Sequence, residues 1–361
     1  MQVPGNPPKS LMPHPAPSMK KTPRGALKRL VVRAKAIGPV ATATLVLAIG
    51  FFSLPSVLAV DLKLAENAPK PAFPVTVNPI ARTITENPEV EALLAEDNPE
   101  LTAAVGAAGD LFTWLAAVIA DSGAYRSIAG AVGADTTFVT ILPGYREEEV
   151  AAAFGKSLGW TAAERRAFIA EIHSTPPTLR EGELVPGTYA LPTNAESEDV
   201  QALLNERFAS DILARYSTST AEIVPLDDAL TIASMLERET RDPAEMRMIS
   251  GIIWNRLFVG MNLQIDATLQ YAKASQTNTA SWWPKVVPND KYIKSAYNTY
   301  KNKGLPPGPI ANPSTEAVLA ALNPKETDCL FYFHDKYGGF HCAPTYEEHV
   351  RLLKQKYGQG K

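Results

Sequence analysis

Residues 230–268 read LTIASMLERETRDPAEMRMISGIIWNRLFVGMNLQIDAT, and the periodicity of this stretch decides how the rest of the chain is read. Taken as a helix over 227–240, Ile232, Met235, Leu236 and Glu239 fall at i, i+3, i+4 and i+7, which is one helix face. The apolar stripe therefore ends in a carboxylate. Glu237, rotated by about 200°, is expected on the opposite face, in solvent. A carboxyl held against hydrocarbon has its charged form disfavoured, and a general acid needs that to keep its proton near neutral pH. A helix end whose last Glu simply reaches the surface has the same spacing, so periodicity alone leaves both readings open.

Working outward, Asp242, Pro243 and Glu245 predict the start of a second helix as cap, first-turn proline and reciprocal cap partner. Ile249, Ile252, Ile253 and Leu257 give that helix its apolar face, and Gly260 its end. Two antiparallel helices joined at Arg241-Asp242 result. Beyond them Gln264, Asp266 and Thr268 alternate as strand residues sharing one face would. They contact a ligand, or Asp266 braces Arg256; the residues leave both open. Tyr297 and Asn298 lead into Gly304-Leu305-Pro306-Pro307-Gly308-Pro309, whose prolines exclude helix and central strand. Residues 314–322 read as a short helix. A hairpin is expected over 330–334 and 340–343, with Thr345 and Glu348 capping a last helix.

Upstream, residues 136–142 (TTFVTIL) are a β-branched run ending at Pro143-Gly144, hence a strand and turn. Two helices follow, the second opened by the capping box Thr161 and Glu164; then come a short strand within 184–192 and a helix over 198–216. The expected class is α+β: a β/α module over 135–220 in front of a helix-rich catalytic domain over 221–361.

Charge divides the 361-residue chain. Residues 1–60 carry eight Lys or Arg and no acid, whereas the remainder has 27 basic against 38 acidic residues. An acidic body repels a phosphate backbone, so nucleic acid is not an expected partner. Residues 37–60 hold 24 consecutive uncharged residues, enough to cross a bilayer, and the basic residues before them leave the N-terminus cytoplasmic and the body outside. A cleaved signal peptide is the competing reading, because Pro55 interrupts the run and Val57-Leu58-Ala59 resembles a cleavage site. Residues 1–36, with seven prolines, are expected to be a disordered basic tail; 61–87 form a Pro-rich linker, and 88–134 a small Ala-rich helical region.

Chemistry other than a lone acid finds little support. The five His are scattered, without His-Glu-x-x-His or Cys-x-x-Cys spacing, so neither metal nor cofactor is expected. Cys329 and Cys342 lie on the expected hairpin, but a turn centred on Tyr337 sets Cys342 against Phe331 or Tyr332, which favours free or strained thiols.

The runs ASMLERET, NRL at 255–257, GMNLQIDAT at 260–268, YNTY at 297–300, GLPPGPIANP at 304–313 and ALNP at 321–324 resemble the MltG (YceG-like) family of membrane-anchored endolytic murein transglycosylases. The resemblance covers about residues 136–357. It implies cleavage of the MurNAc-GlcNAc bond within peptidoglycan strands without water, leaving a 1,6-anhydro-MurNAc end. It places the essential acid on Glu239, the second Glu of the E-x-E-T pair, and makes Gln264, Asp266, Thr268, Tyr297 and Asn298 candidates for sugar contact. Family members act beside penicillin-binding-protein synthases at the cytoplasmic membrane. Two departures stand out: the Ala-rich stretch lacks the alternation of the family's lysin-motif-like module, and in Gly338-Gly339-Phe340-His341-Cys342 the His341 is either the family's hairpin His shifted by one or not its equivalent. A muramidase-type hydrolase in which Asp266 activates water, and a non-catalytic peptidoglycan-binding scaffold, are the alternatives.

Overall fold

The computed structural model describes residues 70–88, 91, 136–276 and 281–358. The basic tail, the apolar span over 37–60 and nearly all of the Ala-rich stretch lie outside these. Among the described residues no helix is long and apolar enough to cross a membrane.

The first described element is a small hairpin, β1 (Val77–Asn78) with β2 (Thr83–Ile84). Phe73 and Val77 are buried, and the backbone of Phe73 and Thr76 donates to the carbonyls of Arg215 and Leu322. Next comes a strand-helix-helix-strand unit. β3 (Thr136–Ile141) pairs antiparallel with β4 (Gly187–Pro192) in the register Phe138↔Ala190 and Ile141↔Gly187. Between them run α1 (Glu147–Leu158) and α2 (Ala162–Ser174), the latter opened by the expected reciprocal box of Thr161 and Glu164. Val139, Ile141, Phe154, Phe168 and Ile172 turn inward and form the core of this unit.

The expected helix over 198–216 is broken. α3 (Ser197–Asp211) stops, a 3-10 turn occupies Leu213–Arg215, and α4 (Thr218–Ile223) follows, capped by the Ser217 hydroxyl. Ser, Thr and Asp after residue 209 offer the backbone local side-chain partners that compete with helix propagation.

α5 (Leu226–Glu239) and α6 (Pro243–Phe258) are the two expected helices, joined through 240–242 and packed against each other. Asp242 caps α6 by accepting from Glu245 N at 3.0 Å. Glu245 does not reciprocate. Its carboxylate accepts from Thr240 Oγ1 at 2.5 Å and lies 2.6 Å from His334 Nε2. α7 (Asp266–Gln276), α8 (Thr315–Leu322), the hairpin β5 (Phe331–His334) with β6 (Phe340–Ala343), and α9 (Tyr346–Tyr357) complete the described fold.

Three expectations are corrected. Residues 229–236 of α5 are all buried, because α6, α7 and α8 pack around the helix, so α5 has no solvated face along most of its length. Glu237 accordingly lies against α8, partly buried, and not in solvent. Gln264, Asp266 and Thr268 do not alternate on a strand: Gln264 is a loop residue and the other two belong to the first turn of α7. Finally, Cys329 and Cys342 form a disulfide, with Cα atoms 5.8 Å apart. The register does set Cys342 opposite Tyr332, but Cys329 precedes β5, so ladder geometry does not constrain it and it reaches Cys342 diagonally.

Candidate active site

Three consecutive residues at the end of α5 go three ways. Glu237 Oε2 accepts from both the backbone N (3.0 Å) and the hydroxyl (2.6 Å) of Ser314, the N-cap of α8. Burial raises its pKa, opposed by these two hydrogen bonds. Arg238 stacks its guanidinium 3.8 Å over the Trp283 ring and donates to the Gly144 carbonyl. Gly144 has φ +79°, and a Cβ there would sit 3.1 Å from Arg238 Nη1, so this turn requires glycine. Glu239, the last residue of α5, points into a cleft of about 530 Å³.

The cleft is bounded by the end of α5, Arg256 of α6, Gln264 and Asp266 at the entry to α7, Lys291 and Tyr300 from the following loop, and the hairpin. Phe331 and Phe333 pack against Tyr346 and His349 of α9 and make the aromatic side of the wall. Tyr332 and His334, on the opposite face of the same strand, reach Glu239 and Glu245.

Glu239 accepts one described hydrogen bond, from the Tyr332 hydroxyl to Oε2 at 3.0 Å. Its pKa is raised, chiefly because burial strips solvent from the carboxylate and secondarily because Asp266 lies nearby. The Tyr332 hydrogen bond, His334 and Arg238 pull the other way. The negative end of the α5 dipole also disfavours charge at this position. Tyr332 is itself held well above the usual phenol range by burial and by Glu239, so it is a donor to the carboxyl throughout the physiological range. Asp266 is exposed to the cleft and accepts from the Tyr300 hydroxyl at 2.6 Å.

The candidates from sequence separate into two groups. Glu239, Gln264 and Asp266 line the cleft. Gln264 does so with φ +53°, a left-handed conformation costing a non-glycine residue about 1–2 kcal/mol. Thr268, Tyr297 and Asn298 are absent from the cleft lining. Thr268 is fully buried with its hydroxyl on the Ile265 carbonyl and 2.9 Å from Thr299 Oγ1. Asn298, also fully buried, donates to the carbonyls of Lys291 and Ile293 and accepts from Tyr300 N. It shapes the loop that presents Tyr300. Tyr297 packs its ring 4.7 Å from that of Tyr271, which lies under Arg146. Asp266 does not brace Arg256; the arginine donates instead to the carbonyls of Leu330 (2.6 Å) and Leu263, joining two cleft walls. His341 bonds Asp335 at 2.8 Å and is not a cleft residue.

Sequence reasoning missed Tyr332, His334, Tyr300, Arg256 and Lys291. The alternation of Tyr332 with His334 was the available signal, since both fall on one face of the predicted strand. Which face looked toward Glu239 was not readable. Among the described residues no group of three or more His, Cys, Asp or Glu could hold a metal ion.

Comparison with known proteins bears on this site. The model of the YceG-like family matches residues 119–355. An endolytic murein transglycosylase of Streptococcus pneumoniae is 29% identical over 246 residues, covering 60% of this chain and 44% of that protein. One of Bacillus subtilis is 34% identical over 178 residues, covering 49% of this chain and 48% of that protein. The chain thus spans under half the length of these curated relatives. A crystal structure of a yceG-like protein from Listeria monocytogenes superposes with TM-score 0.51 at 28% identity, covering 60% of this chain and 75% of that one.

Proposed function

The chain belongs to the YceG-like family, and from that membership we propose that it is a lytic transglycosylase that cuts the MurNAc-GlcNAc bond within peptidoglycan strands, with Glu239 as acid and then base. The observation that carries the reading is the Glu239 carboxyl, its pKa raised chiefly by burial, at a helix end facing a cleft large enough for sugar rings. Glu239 gives its proton to the glycosidic oxygen as the C1–O4 bond breaks. The C6 hydroxyl of the same MurNAc then bonds to C1 and releases its proton to the carboxylate. The product is a 1,6-anhydro end, and no water is consumed. Asp266 and Gln264 contact sugar hydroxyls from the α7 side; Tyr332 holds the Glu239 carboxyl in place. Thr268, Tyr297 and Asn298 serve the glycan indirectly, by holding the walls.

Residues 37–60 anchor the protein in the cytoplasmic membrane, with the catalytic domain of residues 221–361 and the β/α module of 135–220 outside. Penicillin-binding-protein synthases are the partners that the family resemblance implies. One observation favours a second reading: Asp266 faces the same cleft and interacts electrostatically with Glu239. Two carboxyls flanking one bond suit hydrolysis, in which the second activates water or acts as nucleophile. Mass spectrometry of peptidoglycan digested by the purified protein separates the readings. Anhydro ends are expected; reducing ends assign the hydrolase, and binding without turnover leaves only the scaffold.

A further inference from the structure

The cleft holds a second side chain suited to carrying a proton. His334 lines the cleft two residues from Tyr332, on the same face of β5. Its Nε2 lies 2.6 Å from Glu245 Oε1, and the other oxygen of Glu245 accepts from Thr240, the residue that follows Glu239. The imidazole is therefore oriented by a carboxylate that is itself pinned to the turn after the catalytic helix. With a carboxylate as acceptor, Nε2 carries the proton and Nδ1 is the basic nitrogen. Among the described residues no hydrogen bond is made to that Nδ1.

The same hairpin offers a comparison. His341 bonds Asp335, whose carboxylate also accepts from the backbone N of Tyr337 and Gly339. That pair builds the turn, away from the cleft. In the other pair, His334 lines the same cleft as Glu239, and Glu245 ties it to the start of α6. The charged and titratable groups around His334 are Glu245 and Arg256 from α6, Glu239 from α5, Asp266 from α7, Lys291 and Tyr300 from the loop after it, Tyr332 from its own strand, Tyr346 and His349 from α9 and, bonded to its carbonyl, the hydroxyl of Tyr357 from α9.

We propose that His334, oriented by Glu245, is a further catalytic residue that relays the proton of the attacking hydroxyl to the Glu239 carboxylate, so that Glu239 receives it through the imidazole and not directly; this rests on the reading of Glu239 as the acid and final base. Glu239 protonates O4 as C1–O4 breaks. As O6 bonds to C1, the O6–H proton goes to His334 Nδ1. The imidazolium then returns that proton to the Glu239 carboxylate, and both groups regain their starting states. No external reductant, oxidant or water enters the balance. Were water the attacking group, the same nitrogen would take its proton.

The test measures glycan cleavage by the full chain on purified peptidoglycan across pH, for wild type, His334→Gln, Glu245→Gln, His341→Gln and Glu239→Gln, with folding checked by circular dichroism. An imidazole must be neutral to accept a proton, so the wild-type rate should fall on the acid side. In His334→Gln, kcat should drop by on the order of 10²-fold, KM should change little, and that acid limb should vanish. Glu245→Gln removes the carboxylate that orients the ring, so it should lose rate by a smaller factor than His334→Gln. Added imidazole should restore part of the activity of His334→Ala, and His341→Gln should match wild type. A His334→Gln enzyme within twofold of wild type with its acid limb intact overturns the proposal. So does an equal loss at every pH without imidazole rescue, which marks a structural role. Full activity in Glu239→Gln overturns the functional reading itself, and this inference with it.

Discussion

Glu237 and Glu239 stand two residues apart on one helix, and burial raises the pKa of both, yet their surroundings differ in kind. Glu237 faces protein that supplies two donors from Ser314 and the N-terminus of α8, where a negative charge is favoured by the helix dipole. Glu239 faces a cleft, and protein supplies one donor, the Tyr332 phenol. Burial alone therefore does not single out a catalytic acid. What distinguishes the two is whether the remaining lone pairs are consumed by the fold or left for a ligand.

The largest effect that can break this comparison is on turnover. Glu239→Gln keeps shape and the Tyr332 hydrogen bond but has no acidic proton to give, so kcat should fall on the order of 10²- to 10⁴-fold while the fold survives. Retained turnover in this variant would end the comparison. Next comes stability. Glu237→Ala leaves the Ser314 donors without their charged acceptor, and unfolding in urea should show a loss of about 1–3 kcal/mol, with cleavage per folded molecule preserved. A Glu237→Ala protein of wild-type stability but without activity reverses the assignment of the two acids.

Smaller shifts sharpen the account of Glu239. The Tyr332 hydroxyl stabilises the carboxylate, so Tyr332→Phe should raise the Glu239 pKa and carry the alkaline limb of the kcat profile upward. Losing about 1.5 kcal/mol of such a hydrogen bond corresponds to about one pH unit. Asp266→Asn removes the neighbouring negative charge and should move the same limb downward. Limbs that move together, or not at all, indicate that another group titrates. The smallest effect concerns folding. Because the folded-state pKa of Glu239 is raised, the native state binds more protons than the unfolded one between the two pKa values, so stability falls as pH rises through that window. Glu239→Gln lacks this loss. As pH rises above the ordinary carboxylate range, its melting temperature should gain slightly on wild type, and a relative decline would show that the buried charge is compensated.

Much of the fold was readable because the signals were local. Thr161 with Glu164 and Asp242 with Pro243 fixed helix starts through hydrogen bonds that span three residues. The α5 and α6 helices, β3, α8, the hairpin and the cap of α9 followed from the same short-range rules. The alternation of Gln264, Asp266 and Thr268 misled. Polar residues spaced by two also fit a turn followed by a helix start, and the hydroxyl of Thr299, 35 residues beyond Gln264, holds Ile265 N in that form. Register predicted the cross-strand neighbour of Cys342 but had no purchase on Cys329, which lies before the strand.

Local signals in the chain suffice to place a carboxylate at the end of the α5 apolar stripe, to start a second helix at Asp242, and to put Tyr332 and His334 on one strand face. That Glu237 faces α8 while Glu239 faces a cleft, that Tyr332 rather than Asp266 holds Glu239, and that Glu245 serves His334 rather than its own helix cap came from packing alone. Caps and stripes are set by contacts within a turn or two, whereas the environment of these side chains is set by segments 77 to 93 residues away, whose approach depends on the packing of the whole core.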